Sequence, residues 1–490
     1  MNIQQAALQL ETMARTYAAR KPDGHYRVPL AAQRPAFLIG PPGLGKTAVV
    51  AQVARRLGIG FAAYTMTHHT RQSALGLPVI VHRTLNGQSR AVTEYTMSEI
   101  VAAVWTQAEA GAEQGILFLD EINCVSESLM PAMLQLLQYK TFGVHALPRG
   151  WIIVCAGNPP KYNRYARVFD PVVLDRLRVI QVEPDLEAWK NFAVLHGVHP
   201  AVRSYLALRA EDFYASDGDR LVTARSWTDL SDMMLALEAS EDVVDGVLFE
   251  QYLQLPEIAE RFELYHRTCM KTKALLDDVL ENGGISVKGH FRGASFEEAL
   301  FAALMLSGRL GTLTEESARN RRRAQRLIHF VDGVRREAVG SAERLADICQ
   351  AHLNRLEHAL EVRRQTGVLS EEDALEERWQ ISNLRRCANE AGSAGPAAEA
   401  VMAALENCAH AAIQPVMTSD AALQAAYEHA FDFVEQELSD PNVRMIFLND
   451  LRVHPEIRTF IHAHLQSRFD SLWTYNDPDA RAARLKTKPC

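Results

Sequence analysis

Between Gly40 and Thr47 the chain reads Gly-Pro-Pro-Gly-Leu-Gly-Lys-Thr. No other stretch constrains the backbone as tightly, because the pattern G-x-x-x-x-G-K-[ST] belongs to loops that wrap a phosphate. Gly40, Gly43 and Gly45 let the chain curl where a Cβ would clash, and the amides then face an anion. The apolar run Ala36-Phe37-Leu38-Ile39 before the loop is short, as a buried parallel strand should be. Ala48 to Leu57 after it has the pattern of a helix, whose N-terminus adds to the pull on an anion. A chance glycine-rich turn would lack this strand–loop–helix setting. Lys46 is spaced to reach the outer phosphates of a nucleotide, and Thr47 to offer its hydroxyl to Mg²⁺. The binding segment is therefore Gly40, Pro41, Pro42, Gly43, Leu44, Gly45, Lys46, Thr47 and Ala48.

At 490 residues the chain is too long for one ordinary domain. Hydrophobic residues make up 48% and charged residues 23%, the balance of a globular protein with sizeable cores. The net charge of −8 supplies no general pull toward nucleic acid or anionic membrane. The first residues show no basic-then-apolar leader, and no apolar run is long enough to span a bilayer. The seven cysteines are scattered without a C-x-x-C pair, which fits a reducing cytoplasm and speaks against a disulfide framework or structural zinc.

Four further segments carry chemistry. Gly115-Ile116-Leu117-Phe118-Leu119 is an apolar strand running into Asp120-Glu121. Ligands of parallel α/β sheets bind at the C-terminal ends of strands. Asp120 would then share Mg²⁺ with Thr47, and Glu121 would polarise an attacking water. Trp151 to Gly157 is another apolar strand, ending at Asn158. That amide either orients the water and contacts the terminal phosphate, or simply turns the chain before Pro159-Pro160. Arg176, in Leu174-Asp175-Arg176-Leu177-Arg178, is either a surface ion-pair residue or one that reaches a neighbouring subunit's site. Arg225 falls in the first turn of a helix opened by Thr223, where it opposes the helix dipole, so a phosphate would give it a reason to be there.

These motifs, in this order, resemble those of AAA+ ATPases, and within them the MoxR-like group of the helix-2-insert branch. The resemblance covers about residues 1–270. It implies Walker A at Gly40–Thr47, Walker B ending in Asp120 and Glu121, sensor 1 at Asn158 and sensor 2 at Arg225. It implies an arginine finger at Arg176, with Arg178 as its rival. The cofactors implied are ATP and Mg²⁺, and the assembly implied is a ring, a hexamer by family habit. Asn86-Gly87, the strongest short hairpin signal, sits between two strand-like runs, and a second hairpin is expected over about 140–150. In the family such hairpins face the ring's pore. His68 and His69 invite a metal reading, but neighbours on a strand point to opposite faces and no carboxylate follows at ligand spacing. The chain departs from protein-threading relatives in having no aromatic–apolar–Gly pore loop. It also holds no von Willebrand factor A module, so a partner of that kind would be a separate polypeptide.

Past the sheet the pattern is helical. The expected architecture is an α/β, P-loop parallel-sheet domain over 1–184, a helical lid over 185–280, an all-α domain over 281–475 and a polar tail over 476–490. The region from Asp185 to Ser240 reads as about three helices. Helices are also expected to end near His410 and to restart at a Ser419 cap. Arg321-Arg322-Arg323 with Arg326 is a basic cluster, read as a solvated helix face ahead of an acidic partner or nucleic acid. Three functions compete: an ATP-driven motor or chaperone that remodels a protein, possible partners including a von Willebrand factor A protein in metal insertion or enzyme maturation; a nucleic-acid motor, disfavoured by charge; and a nucleotide-gated scaffold with little turnover.

Overall fold

A computed structural model describes the chain except residues 69–75, 86, 285–286, 339–344, 366–370, 394–397 and 478–490. His69 and most of the loop that follows it therefore lie outside the described residues, as does nearly all of the tail. The chain divides into two compact units, Met1–Asp185 with Leu353–Ser382, and Leu186–His352 with Asn383–Cys490.

The first unit holds α1 (Ile3–Ala18), β1 (Ala36–Ile39), α2 (Lys46–Leu57), β2 (Gly60–Thr65), β3 (Pro78–Leu85) and β4 (Gln88–Tyr95). It continues with α3 (Glu99–Glu109), β5 (Gly115–Asp120), α4 (Met130–Tyr139), β6 (Thr141–Phe142), β7 (His145–Ala146), β8 (Trp151–Gly157), α5 (Pro171–Asp175) and β9 (Arg178–Gln181). Five strands form one parallel sheet in the order β2-β5-β8-β1-β9. Its three central strands, β5, β8 and β1, are almost wholly apolar because both faces are covered, and their side chains alternate. Leu38, Phe118 and Val154 enter a core with Leu10, Val50 and Val53 of α1 and α2. Phe37, Leu117 and Ile153 enter the opposite core with Val101, Val104 and Leu136 of α3 and α4. The strand order places β8 between β1 and β5, so the loops after these three strands open side by side at one sheet edge.

Both expected hairpins form. β3 and β4 pair from Pro78↔Tyr95 to Leu85↔Gln88, around Gly87 at φ +77°. The second is a two-residue ladder, β6 with β7.

The second unit starts with α6 (Leu186–Leu195) and α7 (Pro200–Leu208), then a small antiparallel pair, β10 (Ala215–Ser216) with β11 (Leu221–Val222). Next come α8 (Ala224–Ala239), α9 (Gly246–Tyr252), α10 (Pro256–Asn282) and α11 (Phe296–Ala338). The chain then runs through α12 (Leu345–Gln365), α13 (Glu371–Gly392), α14 (Ala398–Gln436), α15 (Pro441–Val453), α16 (Pro455–His464) and α17 (Gln466–Asn476). At 43 residues α11 is about 65 Å long and packs along α14. Tyr205, Trp227, Phe249 and Phe262 form an aromatic cluster, with ring centroids 4.9–5.6 Å apart.

Two expectations are corrected here. The region from Asp185 to Ser240 is not helical throughout, because Asp217-Gly218 turns the chain into β10–β11. Gly218 sits at φ +104° and Asp217 Oδ1 accepts from the Arg220 amide at 2.8 Å. Nor does a helix end near His410 and restart at Ser419. One helix, α14, runs through both, since Asp420 is drawn onto α11 by Ser317 Oγ at 2.5 Å and Arg321 Nη2 at 2.8 Å. Burial of Leu423, Tyr427 and Phe431 in the same core offsets the helix-breaking tendency of Pro415.

Candidate nucleotide-hydrolysis site

The phosphate loop leaves β1 at Gly40, where any Cβ would stand 2.3 Å from the Val182 carbonyl oxygen. Gly43 and Gly45 take φ +74° and +76°, a left-handed backbone that side chains rarely adopt. Gly45 caps α2, so Lys46, Thr47 and Ala48 form its first turn, where helix amides lack acceptors one turn back and hold anions well. Lys46 is buried, and its ammonium donates to Gly40 O (2.9 Å), Pro41 O (2.8 Å) and Asn158 Oδ1 (2.8 Å). Thr47 Oγ1 donates to Asp120 Oδ2 at 2.7 Å. The ends of β1, β5 and β8 thus meet through side chains far apart in sequence.

Asp120 closes β5, and its second oxygen accepts from the Glu121 amide at 2.9 Å. Glu121 itself stands at φ +53°, one of few non-glycine residues so placed. Such strain persists where the surroundings over-determine it, and it clusters at functional sites. Both acids lie close enough to Cys124 that, after burial, their charges raise its thiol above the ordinary value. A hydroxyl and a carboxylate in contact at Thr47–Asp120 are hard oxygen donors, the set that suits Mg²⁺.

Residues 35–177 match the family model of the AAA domain, dynein-related subfamily. The chain carries an AAA ATPase domain. No curated protein matches it. Among solved structures, an ATPase candidate from Cytophaga hutchinsonii is 13% identical, covering 53% of this chain and 78% of its own, at TM-score 0.24. A point mutant of RuvB from Thermotoga maritima is 16% identical, covering 49% of this chain and 68% of its own, at TM-score 0.29.

The two candidate fingers of the AAA domain differ in their surroundings. Arg178 lies in β9, with its amide on Pro35 O at 2.8 Å and its guanidinium donating to Gln9 Oε1 on α1. Arg176 caps α5 through its backbone and is half-buried, and among the described residues no hydrogen bond or ion pair holds its side chain. Arg225 opens α8 in the second unit and is exposed.

The hairpins connect to this domain through specific groups. Trp105 Nε1 on α3 donates to Ala146 O at 3.0 Å, and the His145 ring meets Tyr95 O at 3.0 Å, so β6–β7 is tied to α3 and to the end of β4. At the foot of β6–β7, Lys140 takes φ +55° and donates to Gln33 Oε1 (2.7 Å) and to Trp151 O at the start of β8 (2.9 Å). Burial pulls its ammonium down to about 8.

One residue at the centre of the site escaped the sequence reading. Asn123 is almost fully buried in the 3₁₀ turn after the acids, and its Nδ2 donates to Asn158 O (2.8 Å) and Arg167 O (3.3 Å). The signal was present as a polar amide two residues past Glu121, between apolar neighbours, but its partners lie more than 30 residues away.

Proposed function

We propose that the chain is an ATP-hydrolysing motor of the MoxR-like group, acting as a ring on a protein partner. The observation that carries this reading is the meeting of Lys46 with Asn158 and of Thr47 with Asp120, with Glu121 next in the chain. In this reading the phosphate loop and Lys46 hold the nucleotide. Thr47 and Asp120 hold Mg²⁺, which on binding neutralises phosphate charge. Asn158 orients the terminal phosphate or the water, and Glu121 draws a proton from that water as it attacks.

Arg176 supplies positive charge to the site of the neighbouring copy, a role that the commitment of Arg178 to Gln9 supports. Arg225 acts as sensor 2 on the lid, which spans about 185–280. The hairpins, linked through Trp105 and His145, present Ile80 and Val144, 75% and 78% exposed, to the partner. The MoxR likeness makes a von Willebrand factor A protein the partner class to try first, with metal insertion or enzyme maturation as its task.

A nucleic-acid motor has less support. Arg83 of the first hairpin is paired with Glu94 at 2.5 Å, Arg321 with Asp420 at 2.8 Å and Arg322 with Glu456 at 2.6 Å. Basic groups with acids beside them present a weak field to a phosphate backbone. A scaffold without turnover would not need Lys46, Asp120, Glu121 and Arg176 together.

The test is subunit mixing. Arg176→Ala and Glu121→Gln proteins should each be nearly inactive, and their mixture should regain ATPase activity, because one supplies an intact acid and the other an intact finger. No regain would place the finger elsewhere or confine the site to one copy.

A further inference from the structure

The segment between Asn158 and Arg176 is fastened to the turn that follows the catalytic acids. Asn123 Nδ2 holds the Asn158 carbonyl at 2.8 Å and the Arg167 carbonyl at 3.3 Å, while the Arg167 amide returns to Asn123 O at 2.9 Å. Asn163 Nδ2 donates to Cys124 Sγ at 3.3 Å, and Arg167 pairs with Glu127 at 2.7 Å. Beyond this clasp Phe169 packs on Phe37 of β1, with ring centroids 5.3 Å apart. Asp170 then caps α5 through the Val173 amide at 2.8 Å, and α5 ends at Arg176.

The position of Asn123 is a demanding one. It is 1% exposed, and among the described residues its Oδ1 has no hydrogen-bond partner. That oxygen lies 2.3 Å from where a Cβ on Gly157 would stand, so the close approach requires glycine there. A buried acceptor without a donor costs about 1–3 kcal/mol, and a leucine of similar size would avoid that cost. What an apolar residue cannot do is donate to two carbonyls on separate stretches of chain. Among the described residues the carboxamide therefore joins the end of β8 to Arg167, midway along the strap leading to Arg176.

We propose that Asn123 is a positioning residue that makes a copy's own hydrolysis site and the arginine it offers to the next copy move as one piece. This rests on the reading of Arg176 as a finger acting between copies. Asn123 touches no reacting atom; it sets where Asn158 and, through the strap, Arg176 stand. A displacement of about 1 Å at such a group is enough to lower turnover by about two orders of magnitude.

The experiment separates the finger role from the local one. Arg176→Ala subunits keep their own acids and depend on a neighbour's finger. They are mixed first with Glu121→Gln subunits, whose own site is already inactive. The same mixture is then made with subunits carrying Glu121→Gln and Asn123→Ala together. The regained ATPase activity should fall about tenfold or more in the second mixture. ATP binding by each protein and its thermal unfolding are followed alongside.

Undiminished regain in the second mixture would overturn the proposal. Absence of regain in the first mixture would instead overturn the finger reading on which it rests. If Asn123→Ala does not fold, Asn123→Ser replaces it. Its shorter hydroxyl offers a single donor in place of two, and the same drop or its absence decides the matter.

Discussion

In the sheet unit, Lys46, Thr47, Asp120 and Asn158 meet at strand ends, on loops that take left-handed or strained backbone. In the helical unit, Arg203, Asp450, Lys273, Glu238 and His199 also meet, but from the middle and ends of packed helices. Both groups hold a lysine and an aspartate, and the consequences differ. At strand ends a lysine is held by neutral carbonyl and amide oxygens, which a phosphate can outcompete. Between helices each cation is matched by a carboxylate, so the charges neutralise one another and serve packing. A charged residue becomes chemistry when the backbone beside it is irregular enough to leave room for a ligand, and structure when regular elements close over it.

That contrast can be broken at four points. Lys46→Ala should lower ATP affinity by about 100-fold or more, the scale expected for losing a charge-assisted hydrogen bond to phosphate. Its thermal unfolding should shift little, and equilibrium binding of a fluorescent ATP analogue would show the loss. Unchanged affinity would mean that the loop does not hold the nucleotide.

Asp450→Ala should do the reverse. Asp450 accepts from Arg203 and Ser307 inside the helical unit, and both members of the ion pair are about nine-tenths buried. Removing one partner leaves Arg203 uncompensated, at about 3–5 kcal/mol. Calorimetry should show the helical unit melting earlier. A variant as stable as the parent would mean that water reaches the pair.

Acid should also act on the helical unit first. Burial holds the His266 ring neutral, down to about 4, against 6.5 when unfolded. The unfolded chain therefore binds this proton more readily. The contribution is complete above about pH 6.5, worth about 3 kcal/mol, and is lost as pH falls toward 4. Glu238 works against burial through hydrogen bonds from His199 and Lys273, which bring it down to about 2. Its contribution is lost below about 4.5 and adds to the fall only there. Denaturant titrations between pH 7 and 4.5 should show declining stability that His266→Phe largely removes; a flat profile would mean that His266 titrates normally.

The smallest effect is expected at Arg322, whose pair with Glu456 is half-exposed. Arg322→Ala should change stability by no more than about 0.5 kcal/mol and leave DNA and RNA binding unaffected. Salt-sensitive nucleic-acid binding that this substitution weakens would revive the reading of Arg321–Arg323 as an interface.

Much of the sheet unit was legible in the sequence because its signals are local. The loop at Gly40–Thr47, the apolar strands ending at Asp120 and Asn158 and the turn at Asn86-Gly87 each declare themselves within about ten residues. Asn123 and Lys140 did not, because a buried polar group is explained by its partners, and theirs stand at Arg167 and Gln33. The long helices were legible as helices but not in extent. The stretch between His410 and Ser419 read as a break, and Asp420 reaching α11, with the burial of Leu423, Tyr427 and Phe431, keeps the helix continuous. The β10–β11 turn was overlooked despite its Asp-Gly signal, because its strands are too short to show a period.

The most direct test of the account compares phosphate release by the wild-type and Glu121→Gln proteins, with ATP binding measured on both. The account predicts equal binding within a few-fold and turnover lower by about 100-fold or more in Glu121→Gln, the scale of losing a general base. Full turnover by the variant would contradict it and move the task of activating water to another residue.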